Sequence, residues 1–350
     1  MEITDASKLG KTIIERYSKK EMVVNARIEA NDVDFDLFLP LGKATIDSSS
    51  STLHFSIDGS SDSELKTLLD GESTYRNLPK DDKKRKQIEA FCTKLVDQRQ
   101  GWIRDCLLAA GLLEPSYSML GARGFISTPK GTYAKSLEDA HHLMVFDTNI
   151  FMRHLISNYL RLRVSTIDSL HTATPPAVVW ELEDIANRAD DDQARIARSS
   201  FRDIARMQSS TKYLVIMTRE LDSASDRLIR KQVRDFNWDG DMWKTEKGET
   251  FGTKTKIFVT FDRVSALAAH AEGMVCASLD VPTTNTAWNL KPIGSQPMEE
   301  MVGSIFFEAA ILREVITLGD KEDTMRISGD WPGKSNTEWI EGKVRLDLKE

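Results

Sequence analysis

Leu143-Met144-Val145-Phe146-Asp147-Thr148-Asn149-Ile150-Phe151 (residues 143–151) joins a short, unbroken apolar run to a carboxylate and then to a helical pattern. An unbroken run of this length suits a strand buried on both faces. The theme returns in Val178-Val179, Tyr213-Leu214-Val215-Ile216-Met217, Ile257-Phe258-Val259 and Met274-Val275-Cys276, with helical stretches between. Strands alternating with helices predict an α/β arrangement, a parallel sheet covered on both faces.

The pattern changes on either side of this core. Val33–Leu39 and Thr52–Asp58 largely alternate apolar and polar residues, the period of a half-buried strand, with a loop at Ser48–Ser51. Residues 81–107 read as a long helix. Pro115, Gly121, Gly124, Pro129 and Gly131 punctuate a polar stretch that reads as a linker or surface loop. Beyond residue 290 a helix near Met298–Val315 precedes strand-like pieces at Met325–Ser328 and Lys343–Leu348. The expected organisation is an N-terminal α+β region (1–113), a linker or loop (114–140), a central α/β domain (141–290) and a C-terminal α+β extension (291–350).

The chain has 350 residues, 40% of them hydrophobic, which excludes a wholly disordered polymer. Its 47 basic and 54 acidic residues give a formal net charge of -7, which argues against a histone-like binder of nucleic acid. A nuclease is not excluded, because its metal site must itself be acidic. Cys92, Cys106 and Cys276 form no CxxC pair, so neither a disulfide framework nor a cysteine zinc site is expected. A reducing compartment is the simpler reading. The first residues, MEITDASKLGKTIIERYS, lack an apolar signal segment, and no apolar run approaches about 18 residues. The expectation is a cytoplasmic protein without a membrane partner.

Four carboxylates stand where a parallel sheet builds sites. Asp147 and Asp262 each follow an apolar strand, and ligands of open α/β sheets bind at the carboxyl ends of strands. Glu181 follows the helix-starting prolines Pro175-Pro176, with Glu183 and Asp184 as rivals for its role. Asp226 falls in the first turn of a helix that Ser223 or Ser225 could cap. The plain alternative for Asp147 and Asp226 is helix-start duty, which the macrodipole favours for any acid. Crowded carboxylates repel unless a cation neutralises them. Mg²⁺ and Mn²⁺ prefer such all-oxygen donor sets.

Residues His142 to about Leu290 resemble a PIN domain, the fold of many RNA-processing and RNA-decay nucleases. Val145-Phe146-Asp147-Thr148-Asn149-Ile150-Phe151 looks like that family's first motif, and Thr174-Pro175-Pro176-Ala177-Val178-Val179-Trp180-Glu181-Leu182 like its second. Ser225-Asp226-Arg227-Leu228-Ile229 is similar to the third. Phe258-Val259-Thr260-Phe261-Asp262-Arg263 resembles the fourth, and the apolar stretch running to Gly273 follows as that motif leads one to expect. The resemblance implies that Asp147, Glu181, Asp226 and Asp262 hold Mg²⁺ or Mn²⁺. It also implies that Asn149 fixes the loop after the first strand and that Thr260 orients a ligand or water.

The chain departs from a compact member of that family at Phe236–Lys256, which separates the third motif from the last and carries Trp238, Trp243, Lys244, Lys247, Lys254 and Lys256. These residues could stack bases and touch phosphates, or form an excursion whose tryptophans pack on the domain. Arg153, Arg161 and Arg163 could bind a phosphate backbone or line a solvated helix face. Gly329–Ser335 mimics a phosphate-binding loop but is one residue short, and Pro332 removes a donor.

The function expected from these residues is metal-dependent endonucleolytic cleavage, with RNA the favoured substrate. Alternatives are a DNA-directed nuclease of the same chemistry, a toxin-like nuclease restrained by a partner, and a catalytically inactive scaffold binding nucleic acid or protein. A protein partner or a second copy of the chain stays open.

Overall fold

The computed structural model describes residues 2–3, 5–28, 37–57, 99–121, 124–127, 142–164, 167–188, 192–216, 225–236, 255–280, 286–313, 315–319, 323–330, 339 and 343–348. The chain divides into two compact units, residues 1–106, 283–330 and 343–350 in one, residues 107–282 and 331–342 in the other. The first opens with β1 (Glu2–Ile3), α1 (Ala6–Tyr17), β2 (Glu21–Ile28), β3 (Leu37–Asp47) and β4 (Thr52–Ser56). Asp5 caps α1 by accepting a hydrogen bond from the Ser7 N–H. The alternation read at Thr52–Asp58 is β4. Most of Val33–Leu39 and the start of the helix expected over 81–107 lie outside the described residues, but residues 99–109 are helical.

The second unit is built on the apolar runs. Its strands are β5 (Ser116–Gly121), β6 (Gly124–Ser127), β7 (His142–Phe146), β8 (His171–Thr174), β9 (Lys212–Val215), β10 (Thr255–Thr260) and β11 (Val275–Asp280). They form one sheet in the order β6-β5-β11-β10-β7-β8-β9. The pairs β11/β10, β10/β7, β7/β8 and β8/β9 are parallel. The helices are α2 (Thr148–Met152), α3 (Leu155–Arg163), α4 (Pro176–Ala186), α5 (Asp192–Ser210), α6 (Asp226–Asp235) and α7 (Arg263–Ala271). Leu143 to Phe146 are fully buried, as a central strand covered on both faces requires. Trp339 joins this core, its ring 5.3 Å from that of Phe201.

Two readings of this region change. The stretch 114–140, read as a linker or loop, supplies β5 and β6, which extend the parallel sheet by antiparallel pairing of β5 to β11 and of β6 to β5. Gly121 and Gly124 occupy strand ends rather than an open loop, and residues 128–140 lie outside the described residues. Val178-Val179 is not a strand but lies in α4, which starts with Pro176 at its first position. The true strand is His171–Thr174, whose polar residues hide a fully buried segment.

The chain then returns to the first unit as β12 (Ala287–Leu290), α8 (Met298–Arg313), β13 (Val315–Gly319), β14 (Thr324–Asp330) and β15 (Lys343–Leu348). The sheet order is β1-β15-β14-β13-β2-β3-β4-β12, with each adjacent pair antiparallel. The flanks expected as separate N-terminal and C-terminal regions are therefore one sheet, and β12, placed by sequence in the central domain, belongs to it. Local alternation reveals a strand but not its partner, and β13 finds β2 across most of the chain. Met301 to Leu312 of α8 are all buried. At its crossing with α1, a methyl group on Gly10 or Gly303 would overlap the backbone carbonyl of Glu299 or Ala6. Among the described residues no helix is long and apolar enough to cross a membrane.

Backbone contact at the Gly10–Gly303 crossing leaves no room to relax. Gly303→Ala is expected to destabilise the antiparallel unit by about 2–3 kcal/mol, read as a lower urea midpoint by circular dichroism. An unchanged midpoint would show that the helices do not meet there.

Candidate functional site

The parallel sheet has a reversal built into its order. The chain runs β7 to β8 to β9 in one direction, then crosses back to lay β10 on the other side of β7. At such a switch the connections leaving the strand ends diverge and open a crevice, where ligands of open α/β sheets bind. Asp147 follows β7 and Asp262 follows β10, so these two acids flank the reversal. Glu181 lies on α4, after β8, and Asp226 begins α6, after β9. All four predicted acids thus follow the carboxyl ends of four neighbouring strands.

Asp147 is the hub. It is 5% exposed, and its backbone N–H bonds to the Val259 carbonyl of β10 at 3.1 Å. Its Oδ1 accepts the Thr148 N–H at 2.9 Å. Its Oδ2 accepts the Thr260 hydroxyl at 2.7 Å and the Asn149 side-chain amide at 2.9 Å. Asn149 also donates to Thr260 Oγ1 at 2.9 Å, while its own Oδ1 accepts the Phe261 N–H at 2.9 Å. The roles expected of Asn149 and Thr260 therefore rest on direct bonds to the carboxylate and to the β10 turn. Thr148, which sequence reading passed over, donates its hydroxyl to Glu181 Oε2 at 2.5 Å. A threonine immediately after a strand-end acid is a thin signal, and only the fold shows what it reaches.

The remaining acids are less enclosed. Asp226 is exposed at the start of α6, whose cap is Ser225, accepting the Leu228 N–H at 3.3 Å. Asp262 is exposed and caps α7 by accepting the Val264 N–H at 2.7 Å, while its own N–H donates to Thr260 Oγ1 at 2.9 Å. Its tie to the hub runs through Thr260, and its carboxylate serves its own helix. The rival Asp184 points away into an ion pair with Arg188 at 2.7 Å. Among the described residues no group of three or more His, Cys, Asp or Glu side chains forms a ready-made metal cage.

The donor set nevertheless suits a hard cation. A carboxylate offers about four acceptor positions. Asp147 Oδ2 has both of its own engaged, whereas Oδ1 accepts the Thr148 N–H. Burial pushes the Asp147 pKa up to about 6. The Thr260 hydroxyl and Thr148 N–H pull it down, and the negative fields of Asp226 and Glu181 raise it again. Asp147 thus senses two of the other three acids.

The predicted basic contacts divide. Arg153 lies over the Phe261 ring, 4.6 Å from its centroid, beside the Thr260–Asp262 turn. Arg163 instead donates to the carbonyls of Gly111 and Leu112 at 3.0 and 2.9 Å. Lys256 caps the end of α6, donating to Val233, Arg234 and Phe236. Arg163 serves carbonyls in the turn after the helical residues 99–109 and Lys256 those at the end of α6, an assignment that charge in a sequence cannot make. Trp238, Trp243 and Lys244 lie outside the described residues.

No protein-family model matches the chain, and no curated protein matches it. Among solved structures, a domain of a functionally unknown protein from Methanocaldococcus jannaschii DSM 2661 is 21% identical, over 41% of this chain and 94% of that one, with a TM-score of 0.31. A likeness at that TM-score carries no argument about fold or function.

The Asp147 shift has a definite sign in stability. The folded carboxyl keeps its proton up to about pH 6, whereas an unfolded aspartate loses it near 4. Its contribution to stability is therefore greatest below about pH 4 and declines as pH rises to about 6, by about 3 kcal/mol in all. A carboxyl carbon-13 titration should place the Asp147 midpoint near 6, and Thr260→Val should raise it further. A midpoint near 4 would contradict the burial.

Proposed function

We propose that the second unit is a PIN-like, metal-dependent endonuclease acting on phosphodiester bonds, with RNA as the favoured substrate. The observation that carries this reading is the bonding around Asp147, a buried carboxylate at the sheet's switch point wired to Glu181 through Thr148 and to the Asp262 turn through Thr260. A strand-end acid whose only task is to cap a helix needs the Thr148 N–H, but neither the Thr148 bond to Glu181 nor the Thr260 bond.

In this reading Asp147 and Glu181 would hold Mg²⁺ or Mn²⁺ together with the exposed carboxylates of Asp226 and Asp262, the latter also capping α7 through the Val264 N–H. What such an ion supplies is a lowered pKa for water and neutralised charge on phosphoryl oxygens. The chain's own residues do the rest. Thr260 and Asn149 fix the Asp147 carboxylate so that Oδ1 keeps a position open. Thr148 sets the Glu181 carboxylate, and Asn149 ties the β10 turn to α2 through the Phe261 N–H. Arg153, resting on Phe261, presents a planar donor group suited to a phosphate beside the acids. The competing reading, a non-catalytic scaffold, is favoured by the helix-capping duty of Asp147 and Asp262.

With Mn²⁺ and matched single-stranded RNA and DNA oligonucleotides, the parent chain should cut RNA faster. Folded Thr148→Val is expected to lose about 10–100-fold, the usual effect of removing a group that orients a metal ligand, and Asp147→Asn to lose more. Arg153→Ala should raise KM with a smaller change in kcat. Faster cutting of DNA would redirect the substrate assignment. Parent-like rates in folded Asp147→Asn and Asp262→Asn would remove the proposal.

A further inference from the structure

The far end of α2 from Asp147 holds a second polar cluster that the acidic site does not use. His154 is 1% exposed and separates α2 from α3. Its backbone is left-handed, φ 52° and ψ 26°, a conformation an L-residue adopts at an energetic cost. Its Nε2 lies 2.7 Å from Ser199 Oγ, and its Nδ1 lies 3.0 Å from Asp203 Oδ2. Ser199 and Asp203 sit one turn apart on α5, and both are 0% exposed. Between them the Ser200 hydroxyl lies 3.0 Å from the Phe151 carbonyl of α2 and 2.9 Å from the Ile196 carbonyl of its own helix, and its one hydrogen is shared between the two.

The order Ser–His–Asp is that of a hydrolytic triad, but the surroundings do not suit one. Ser199 Oγ lies 2.7 Å from both His154 Nε2 and the Ile196 carbonyl, so its hydroxyl has a competing acceptor in its own helix. An activated nucleophile needs that hydroxyl committed to the imidazole. Complete burial also leaves a substrate no approach. Burial alone would push the Asp203 carboxyl up, yet His154, Arg202 and Arg206 together hold it below the usual range. The cluster is a clamp rather than a reaction centre.

What the clamp grips decides its purpose. α2 has five residues, too few to hold a helical shape unaided. Its first turn carries Thr148 and Asn149, and Asp147 caps it. A segment this short takes its position from whatever fastens its two ends. We infer that Ser199, His154, Asp203 and Ser200 form a positioning element that fixes α2 from α5 and thereby sets the Asp147–Thr148–Asn149 turn. The structural half of this inference stands by itself, and the catalytic half rests on the nuclease reading above.

Hydrogen exchange on the full chain without added metal tests the structural half. In Asp203→Asn the Thr148 and Ile150 amides should exchange at least about tenfold faster, while Ile257–Val259 of β10 change less than about twofold. Ser200→Ala, a gentler change, should give the same pattern at about threefold and carries the test if Asp203→Asn does not fold. Unchanged Thr148 and Ile150 amides, or acceleration spread evenly through β7 and β10, would overturn the inference. With Mn²⁺ and a single-stranded RNA oligonucleotide, Ser200→Ala should lower kcat severalfold and leave KM within about twofold. Parent-like kcat in a variant with accelerated Thr148 exchange would overturn the catalytic half. An inactive parent would instead remove the nuclease reading and leave the exchange result to judge the clamp.

Discussion

The carboxylate of Asp147 is almost wholly withdrawn from water at the point where β7 ends, and its neighbours are arranged around that fact. A buried negative charge is unfavourable unless hydrogen bonds or an opposite charge compensate it. Here Thr148, Asn149 and Thr260 supply three donors, yet the carboxyl still holds its proton more tightly than an exposed aspartate. The donors fix its direction without fully neutralising it. Under the function proposed above, a small cation held by oxygen donors would complete the balance.

The sheet order explains why this carboxylate can have such neighbours. Because β10 is laid beside β7 after the excursion through β8 and β9, residues from motifs far apart in sequence meet at one edge. Thr260 reaches Asp147 across adjacent strand ends, and Thr148 reaches Glu181 across the gap between α2 and α4. The residues that make this geometry all belong to the parallel-sheet unit. The helices of the antiparallel unit cross with their backbones in contact through Gly10 and Gly303, a separate solution to a separate packing problem.

Legibility in the sequence followed the strength of the local signal. β7 and β10 were readable because their apolar runs are unbroken, and the start of α6 because Ser225 precedes Asp226. β8 was missed because His171 and its threonines look polar although the strand is buried. Its place was given to Val178-Val179, since a short apolar pair does not distinguish a strand from a buried helix face. The hub at Asp147 could be named from its strand-end position, but the Thr148 link and the His154 clamp could not. Each depends on side chains brought together by tertiary packing. Arg163 and Lys256 show the same limit, for their positive charge was visible and the carbonyls they serve were not. The union of the two flanks into one sheet was equally hidden, because alternation does not say which strand will be the neighbour.

Paramagnetic broadening of backbone amides by substoichiometric Mn²⁺ tests the cation-centred account most directly, because it locates the ion without relying on turnover. The account predicts that the amides of Asp147, Thr148, Asn149 and Asp262 broaden first, with those near Glu181 and Asp226 next. Broadening centred elsewhere, or none at concentrations that saturate exposed carboxylates, would contradict it.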